Sequence, residues 1–259
     1  MIQQKHKFNS KFIPPPKIQF GGFFMKFEFV KQKEVAQARK EIEQVILKVQ
    51  DYLRENNILT FQYNLVGSAG KRHLVTRVID GNKGFDLDFN LSIQQLNNDY
   101  NNAKKIKTLF MQLFDKFKPN YFSYSENSTS VFTIKKIDQK TKKILYSFDF
   151  AIVNYFEQEM EDPDYDDERD DPSEQFYVEE RQEYIRCDKL NGKESYFWEL
   201  RKVATDHQYM EVDIKKNGLW NELRDLYLKK KNNNNNNPNK KSRIIYYESL
   251  NEVWQKHFA

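Results

Sequence analysis

Apolar residues recur at three- and four-residue steps through "KQKEVAQARKEIEQVILKVQDYLRENN". Val35, Ala38, Ile42, Val45, Ile46, Val49 and Leu53 form one stripe, so the spacing predicts a long helix over Lys31 to Asn57 with that stripe in the core. The period then shortens to two. "TFQYNLV" alternates Phe61, Tyr63 and Leu65 and stops at "GSAG", which reads as a strand over Thr60 to Val66 running into a glycine turn. "KRHLVTRV" is expected to be a brief helix with a polar connection through "DGNKG". "FDLDFNLSI" alternates Phe85, Leu87, Phe89 and Leu91 against Asp86, Asp88, Asn90 and Ser92, the periodicity of a strand.

A second helix is expected from about Tyr100 to Lys118, with Ile106, Leu109, Phe110, Leu113, Phe114 and Phe117 inward and Pro119 ending it. "STSVFTIKKID" and "KKILYSFDFAIVNYF" read as a hairpin joined through "DQKTK". Glu157 to Glu180, acidic and proline-containing, is expected to be a solvated loop. A second hairpin is predicted around Asn191-Gly192, and a helix is predicted in "NGLWNELRDLYLKKK". The asparagine run Asn232 to Asn237 is read as a loop insert before a closing helix capped by Ser242. The class is therefore α+β, a mixed sheet flanked by helices with a C-terminal hairpin and helical region. The expected organisation is a loose tail over 1–24, with Met25 a possible start, a core over 25–156, the acidic loop 157–180 and a C-terminal part over 181–259.

Composition narrows this picture. Hydrophobic residues make up 39% of the 259 and aromatic residues 15%, enough to fill a core despite a mean hydropathy of −0.88. With 42 basic against 38 acidic residues the net charge is +4, which permits an anionic ligand without demanding one. The single cysteine, Cys187, excludes a disulfide framework and a structural zinc site and favours an intracellular, cytoplasmic setting. No apolar run approaches the ~20 residues of a membrane span, so no membrane partner is expected.

The chemistry lies in the alternation. Asp86 and Asp88 share one face of their strand, and Asp149, between Phe148 and Phe150 on a later strand, can join them. Three carboxylates at close range repel one another unless a cation is present, and Mg²⁺ prefers carboxylate oxygens together with water and phosphate. The Gly67-Ser68 turn offers backbone N–H groups and a hydroxyl to phosphate oxygens. A calcium loop starting at Asp86 would want Gly and Glu where Leu91 and Asn97 stand. An aspartyl-phosphatase motif would want Thr or Val at Asn90. A half-buried strand showing its acids to solvent is the plain alternative.

"NLVGSAGKR", "FDLDFNL" and "YSFDFAIVN" together resemble the DNA polymerase β-like nucleotidyltransferase superfamily over roughly residues 60 to 155, with a helix before the first strand. The connection between Ser68 and Asp86, residues 69 to 85, is longer than in the smallest members. The resemblance implies transfer of a nucleoside monophosphate from a nucleoside triphosphate to an acceptor, with release of pyrophosphate. It implies two Mg²⁺ (or Mn²⁺) ions held by Asp86, Asp88 and Asp149, with Asp149 also activating the acceptor hydroxyl. Gly67 and Ser68 would hold the triphosphate. Lys71 and Arg72 are placed to neutralise its charge, with plain surface charge the alternative. The acceptor stays open among a small molecule, a protein side chain, an RNA end and a second nucleotide. The basic clusters "KKNGLW", "LYLKKK" and "NKKSR" are candidates for the far wall of the cleft, with solvated helix ends the commoner explanation. Trp198, Trp220 and Trp254 read as packing residues, and of the histidines only His73 lies near the turn. A catalytically silent, antitoxin-like binding module is the alternative from another class.

Overall fold

A computed structural model of the chain describes residues 26–79, 81–96, 102–161, 176–202, 207–234 and 240–259. The expected tail over 1–24, Met25 and the middle of the acidic segment lie outside these residues. In chain order the elements are β1 (Phe27–Phe29), α1 (Gln32–Glu55), β2 (Leu59–Val66), β3 (Thr76–Val78), β4 (Lys83–Leu96), α2 (Ala103–Phe117), β5 (Glu126–Asn127) and β6 (Phe132–Ile137). They continue with β7 (Ile144–Glu161), β8 (Phe176–Leu190), β9 (Lys193–Leu200), α3 (Gln208–Lys216), α4 (Trp220–Asn233) and α5 (Ser242–Phe258). The class is α+β, as expected.

The helices form where the 3.6-residue stripe and the end signals agree. All seven stripe residues of α1 are buried. The side chain of Asn102 caps α2 by accepting from the backbone N–H groups of Lys104 and Lys105 at 2.9 and 3.2 Å. Pro119 forces Lys118 out of the helical region (ψ 147°), and α2 stops at Phe117.

The main sheet runs β2-β4-β7-β6-β5, and β8 and β9 continue from the later half of β7. β4 and β7 are parallel, with Leu87 opposite Phe148 and Phe89 opposite Phe150; the other pairs are antiparallel. Because side chains alternate, one face carries Phe85, Leu87, Phe89, Leu91, Phe148, Phe150 and Ile152 into a core shared with α1 and α2. Phe150 is the hub of that core, its ring 5.6 Å from Phe89, 4.9 Å from Phe132 and 4.6 Å from Phe114. The opposite face carries Asp86, Asp88 and Asn90 on β4 and Ser147 and Asp149 on β7. A second apolar cluster joins α3, α4 and α5 through Ile214, Leu223, Tyr227, Ile245, Tyr246, Leu250 and Val253, with Leu74 from the stretch before β3.

Four expectations need correction. "KRHLVTRV" holds no helix: the left-handed His73 (φ 53°) breaks the chain, and the β-branched Thr76 and Val78 lie in β3, paired antiparallel with β1. Arg77 secures that ribbon by ion pairs to Glu28 at 2.7 Å and to Glu34 of α1 at 2.6 Å. The acidic segment is strand at both ends, since Glu157 to Glu161 of β7 pair with Phe176 to Glu180 of β8. Ser242 does not cap α5 but is its first residue, after Lys241, and its hydroxyl accepts from Lys231 Nζ at 3.1 Å. The asparagine run starts inside α4, where Asn232 grips the backbone N–H and carbonyl of Phe27 at 2.6 and 3.2 Å. The turn between β8 and β9 is as expected, with Asn191 and Gly192 both left-handed (φ 50° and 75°), the geometry of a tight type I′ hairpin.

Candidate functional site

β2 ends with Val66 opposite Asp88, and Asp88 in turn lies opposite Asp149 in the parallel pair of β4 and β7. Neighbouring strands lie about 4.8 Å apart, and residues two apart on one strand about 6.6 Å apart. Asp86, Asp88 and Asp149 therefore occupy one small patch of the open face. Ser147 lies opposite Asp86 and donates its hydroxyl to Asp86 Oδ1. Thr133 of β6, opposite Asp149, donates to Asp149 Oδ1 at 2.5 Å.

The chain turns sharply as it leaves β2. Gly67 has φ +64°, and a Cβ there would collide with the Asp88 carboxylate. A side chain at this position thus faces two separate barriers, backbone strain and a direct clash. The Ser68 carbonyl accepts from the Leu74 N–H at 2.8 Å, which closes the loop.

The sheet face and the C-terminal helices enclose a cleft of about 540 Å³. It is lined by Gly67, Ser68, Arg72, Asp86, Asp88 and Asp149 on one side, and by Arg201, Lys231, Arg243, Tyr246 and Tyr247 on the other. A larger hollow, beside the C-terminal end of α1 at about 720 Å³, has Arg54 as the sole charged residue among the described residues that line it.

Electrostatics reflect the crowding of acids. Burial, then the Asp149 carboxylate, then that of Asp86 push the Asp88 pKa up to about 6. Asp149 is also raised, mainly by burial, with the Thr133 hydroxyl opposing the shift. Lys231 is pushed down to about 8 by burial, against the pull of Asp86. Its Nζ donates to Thr76 Oγ1 at 2.6 Å.

Of the sequence-identified residues, Asp86, Asp88, Asp149, Gly67, Ser68 and Arg72 line this one cleft. Arg72 is not free: its Nε meets Glu211 at 3.3 Å, and its guanidinium lies 4.3 Å from the centre of the Tyr246 ring. Tyr246 Oη donates to the same Glu211 at 2.7 Å. Lys71 lines a separate hollow on the outside of the turn, with Arg39, Tyr63 and His73. Trp198 packs on the first core, and Trp220 and Trp254 on the second.

The hydroxyls that hold the acids, Ser147 and Thr133, went unnoticed in the sequence. Ser147 stands two residues before Asp149, so alternation alone puts it on the acidic face. Lys231 and Arg243 lie within the basic clusters named as far-wall candidates. Arg201, Tyr246 and Tyr247 carry no local signal, because only the packing of the C-terminal helices turns them inward.

Among the described residues no three His, Cys, Asp or Glu side chains already stand gathered as a metal-binding set. Asp86 and Asp149 are each engaged with a hydroxyl rather than converged. Their donor chemistry nonetheless suits a hard divalent cation: three carboxylates in register, one of them driven toward protonation by burial and then by its neighbours.

No family profile and no curated protein matches the chain. Solved structures are similar at low identity. The E. coli CdnC:HORMA-deltaN complex is 11% identical at TM-score 0.46, over 89% of this chain and 61% of that one. The GTP-bound form of Vibrio cholerae DncV is 8% identical at TM-score 0.46, over 87% and 74%. The Bradyrhizobium diazoefficiens CD-NTase CdnG in complex with GTP is 11% identical at TM-score 0.40, over 68% and 40%. This chain thus spans well under two thirds of CdnG and 61% of the CdnC chain.

Proposed function

We propose that the protein is a nucleotidyltransferase, moving a nucleoside monophosphate from a nucleoside triphosphate to an acceptor hydroxyl and releasing pyrophosphate. One observation carries this reading: Asp86, Asp88 and Asp149 share one face in register and line the same cleft as the Gly67-Ser68 turn. Carboxylates buried beside one another repel, and a triphosphate repels them further. The arrangement makes chemical sense when divalent cations, Mg²⁺ or Mn²⁺, lie between the two. Asp86, Asp88 and Asp149 would hold two such ions, which supply charge neutralisation along the triphosphate when bound.

The remaining roles belong to the chain. Ser68 and the backbone after Gly67 bind the phosphates, and the absence of a Cβ at Gly67 keeps Asp88 within reach of them. Lys231, on the Asp86 side of the cleft, adds a cation held by Thr76 and Ser242. Asp149, with its raised pKa, takes the proton of the acceptor hydroxyl, and Thr133 fixes its orientation. The hydroxyl oxygen bonds to the α-phosphorus; the bond from that phosphorus to the bridging oxygen breaks, and pyrophosphate leaves with the electron pair.

The test is a screen of the four α-labelled triphosphates with Mg²⁺, alone and then with RNA or cell extract as acceptor. Label should move into a new product, and Asp86→Asn or Asp149→Asn should abolish it. Unchanged turnover in both variants refutes the assignment. Calorimetry that finds no Mg²⁺-dependent triphosphate binding favours a silent binding module instead.

A further inference from the structure

The turn at Gly67-Ser68 continues into a short loop that carries Arg72. The Gly70 N–H donates to the Val66 carbonyl at 3.2 Å and the Leu74 N–H to that of Ser68 at 2.8 Å, so hydrogen bonds on both sides of Arg72 tie its backbone to the phosphate-binding turn. Its side chain lines the cleft. An arginine side chain has four rotatable bonds, and a third of this one is exposed, so the backbone alone does not aim it.

The aim comes from the C-terminal helices. Ile214 of α3 is fully buried in the second core, and Glu211, three residues earlier, lies on the same side of the helix. Glu211 Oε2 takes Arg72 Nε at 3.3 Å and the Tyr246 hydroxyl at 2.7 Å, while Oε1 takes Lys215 Nζ at 2.7 Å. The centre of the Tyr246 ring is 4.3 Å from the guanidinium carbon. A guanidinium held at Nε by a carboxylate and on one face by a ring has its plane fixed. Its end, the Nη1 and Nη2 pair, is the edge that matches two oxygens of a phosphate.

The charges suit that role. One carboxylate between two cations, Arg72 and Lys215, leaves the group with one positive charge, so the pairing orients Arg72 without cancelling its attraction for an anion. Glu211 itself is not among the described residues that line the cleft, and it reaches a ligand only through Arg72 and Tyr246.

We propose that Glu211 is a positioning residue for triphosphate binding. From behind the cleft wall it fixes the Arg72 guanidinium, which grips a phosphate lodged at the Gly67-Ser68 turn. This rests on the nucleotidyl-transfer reading, and it makes α3 part of the binding machinery although no atom of α3 touches the nucleotide.

Calorimetry with two probes tests this, each with Mg²⁺: a non-hydrolysable α,β-imido triphosphate and inorganic triphosphate. Glu211→Ala and Arg72→Gln should each weaken both probes at least tenfold, the scale of one charge-assisted hydrogen bond. Because Glu211 acts through Arg72, the double variant should be no more than twofold weaker than Arg72→Gln alone. Glu211→Gln keeps an acceptor for Arg72 Nε and should lose only about threefold, a loss that also vanishes in the Arg72→Gln background. Thermal transitions identify the folded variants, and the glutamine variant carries the cycle where the alanine variant does not fold. Losses that multiply in the double variant overturn the proposal, as does a loss confined to the nucleotide analogue, which would place the effect in the Tyr246 ring. If the parent binds the analogue and Glu211→Ala binds it equally well, the positioning role fails and nucleotidyl transfer stands. If the parent itself does not bind the analogue, the broader reading fails with it.

Discussion

Replacing Asp88 with Asn should make the metal-free protein more stable at neutral pH. Asp88 has an ordinary pKa of 3.8 that burial and two neighbouring carboxylates lift to about 6 in the fold. Between those values the native state holds a proton that the unfolded chain has lost, so stability falls as pH rises through the window. Above it the full penalty applies. About two pH units at 1.36 kcal/mol each gives a cost of roughly 3 kcal/mol above pH 6. The Asn side chain has the same shape and no charge. In EDTA, urea unfolding should therefore find Asp88→Asn up to about 3 kcal/mol more stable than the parent at pH 7.5 and indistinguishable from it below pH 4. Mg²⁺ should raise the stability of the parent and leave the variant almost unmoved. A variant less stable than the parent at pH 7.5 in EDTA, or a difference independent of pH, would refute the electrostatic account of the site.

Gly67→Ala places a methyl group on a left-handed residue against the Asp88 carboxylate, so triphosphate affinity should fall at least tenfold in calorimetry while Ser68→Ala loses less. Lys107 is buried, its Nζ donates to the Ser128 carbonyl at 2.7 Å, and burial holds its pKa down at about 8 from an ordinary 10.5. A lowered lysine pKa costs stability at pH values where the unfolded chain is charged, so the parent should gain up to about 3 kcal/mol on Lys107→Met as pH rises from 8 to 10.5, read by urea unfolding. Phe150→Ala empties the middle of the aromatic core and should cost about 3 to 5 kcal/mol of unfolding free energy by the same measurement, with no pH dependence.

Most of the sheet and the acidic patch were legible because both follow from periodicity. The α1 stripe, the alternation of β4 and the turn at Asn191-Gly192 each depend on residues adjacent in sequence, and each stands where the pattern put it. The β1 and β3 ribbon was missed because Phe27–Phe29 and Thr76–Val78 are three residues each, too short to show a period. They are held by long-range partners such as Asn232 and Arg77. The same reason hid Arg201 and Tyr246. They reach the cleft through the packing of β9, α3 and α5, which no local run of residues encodes. Lys71 shows the opposite failure: next to Arg72 in sequence, it points away because the turn divides the two.

The central claim is that the carboxylate cleft transfers nucleotides, and pyrophosphate release tests it most directly. Purified protein with each of the four triphosphates and Mg²⁺ should release pyrophosphate from at least one. Asp149→Asn, shown by its thermal transition to be folded, should reduce that rate by at least a hundredfold. Release that persists undiminished in the folded variant, or that proceeds equally in EDTA, would contradict the account.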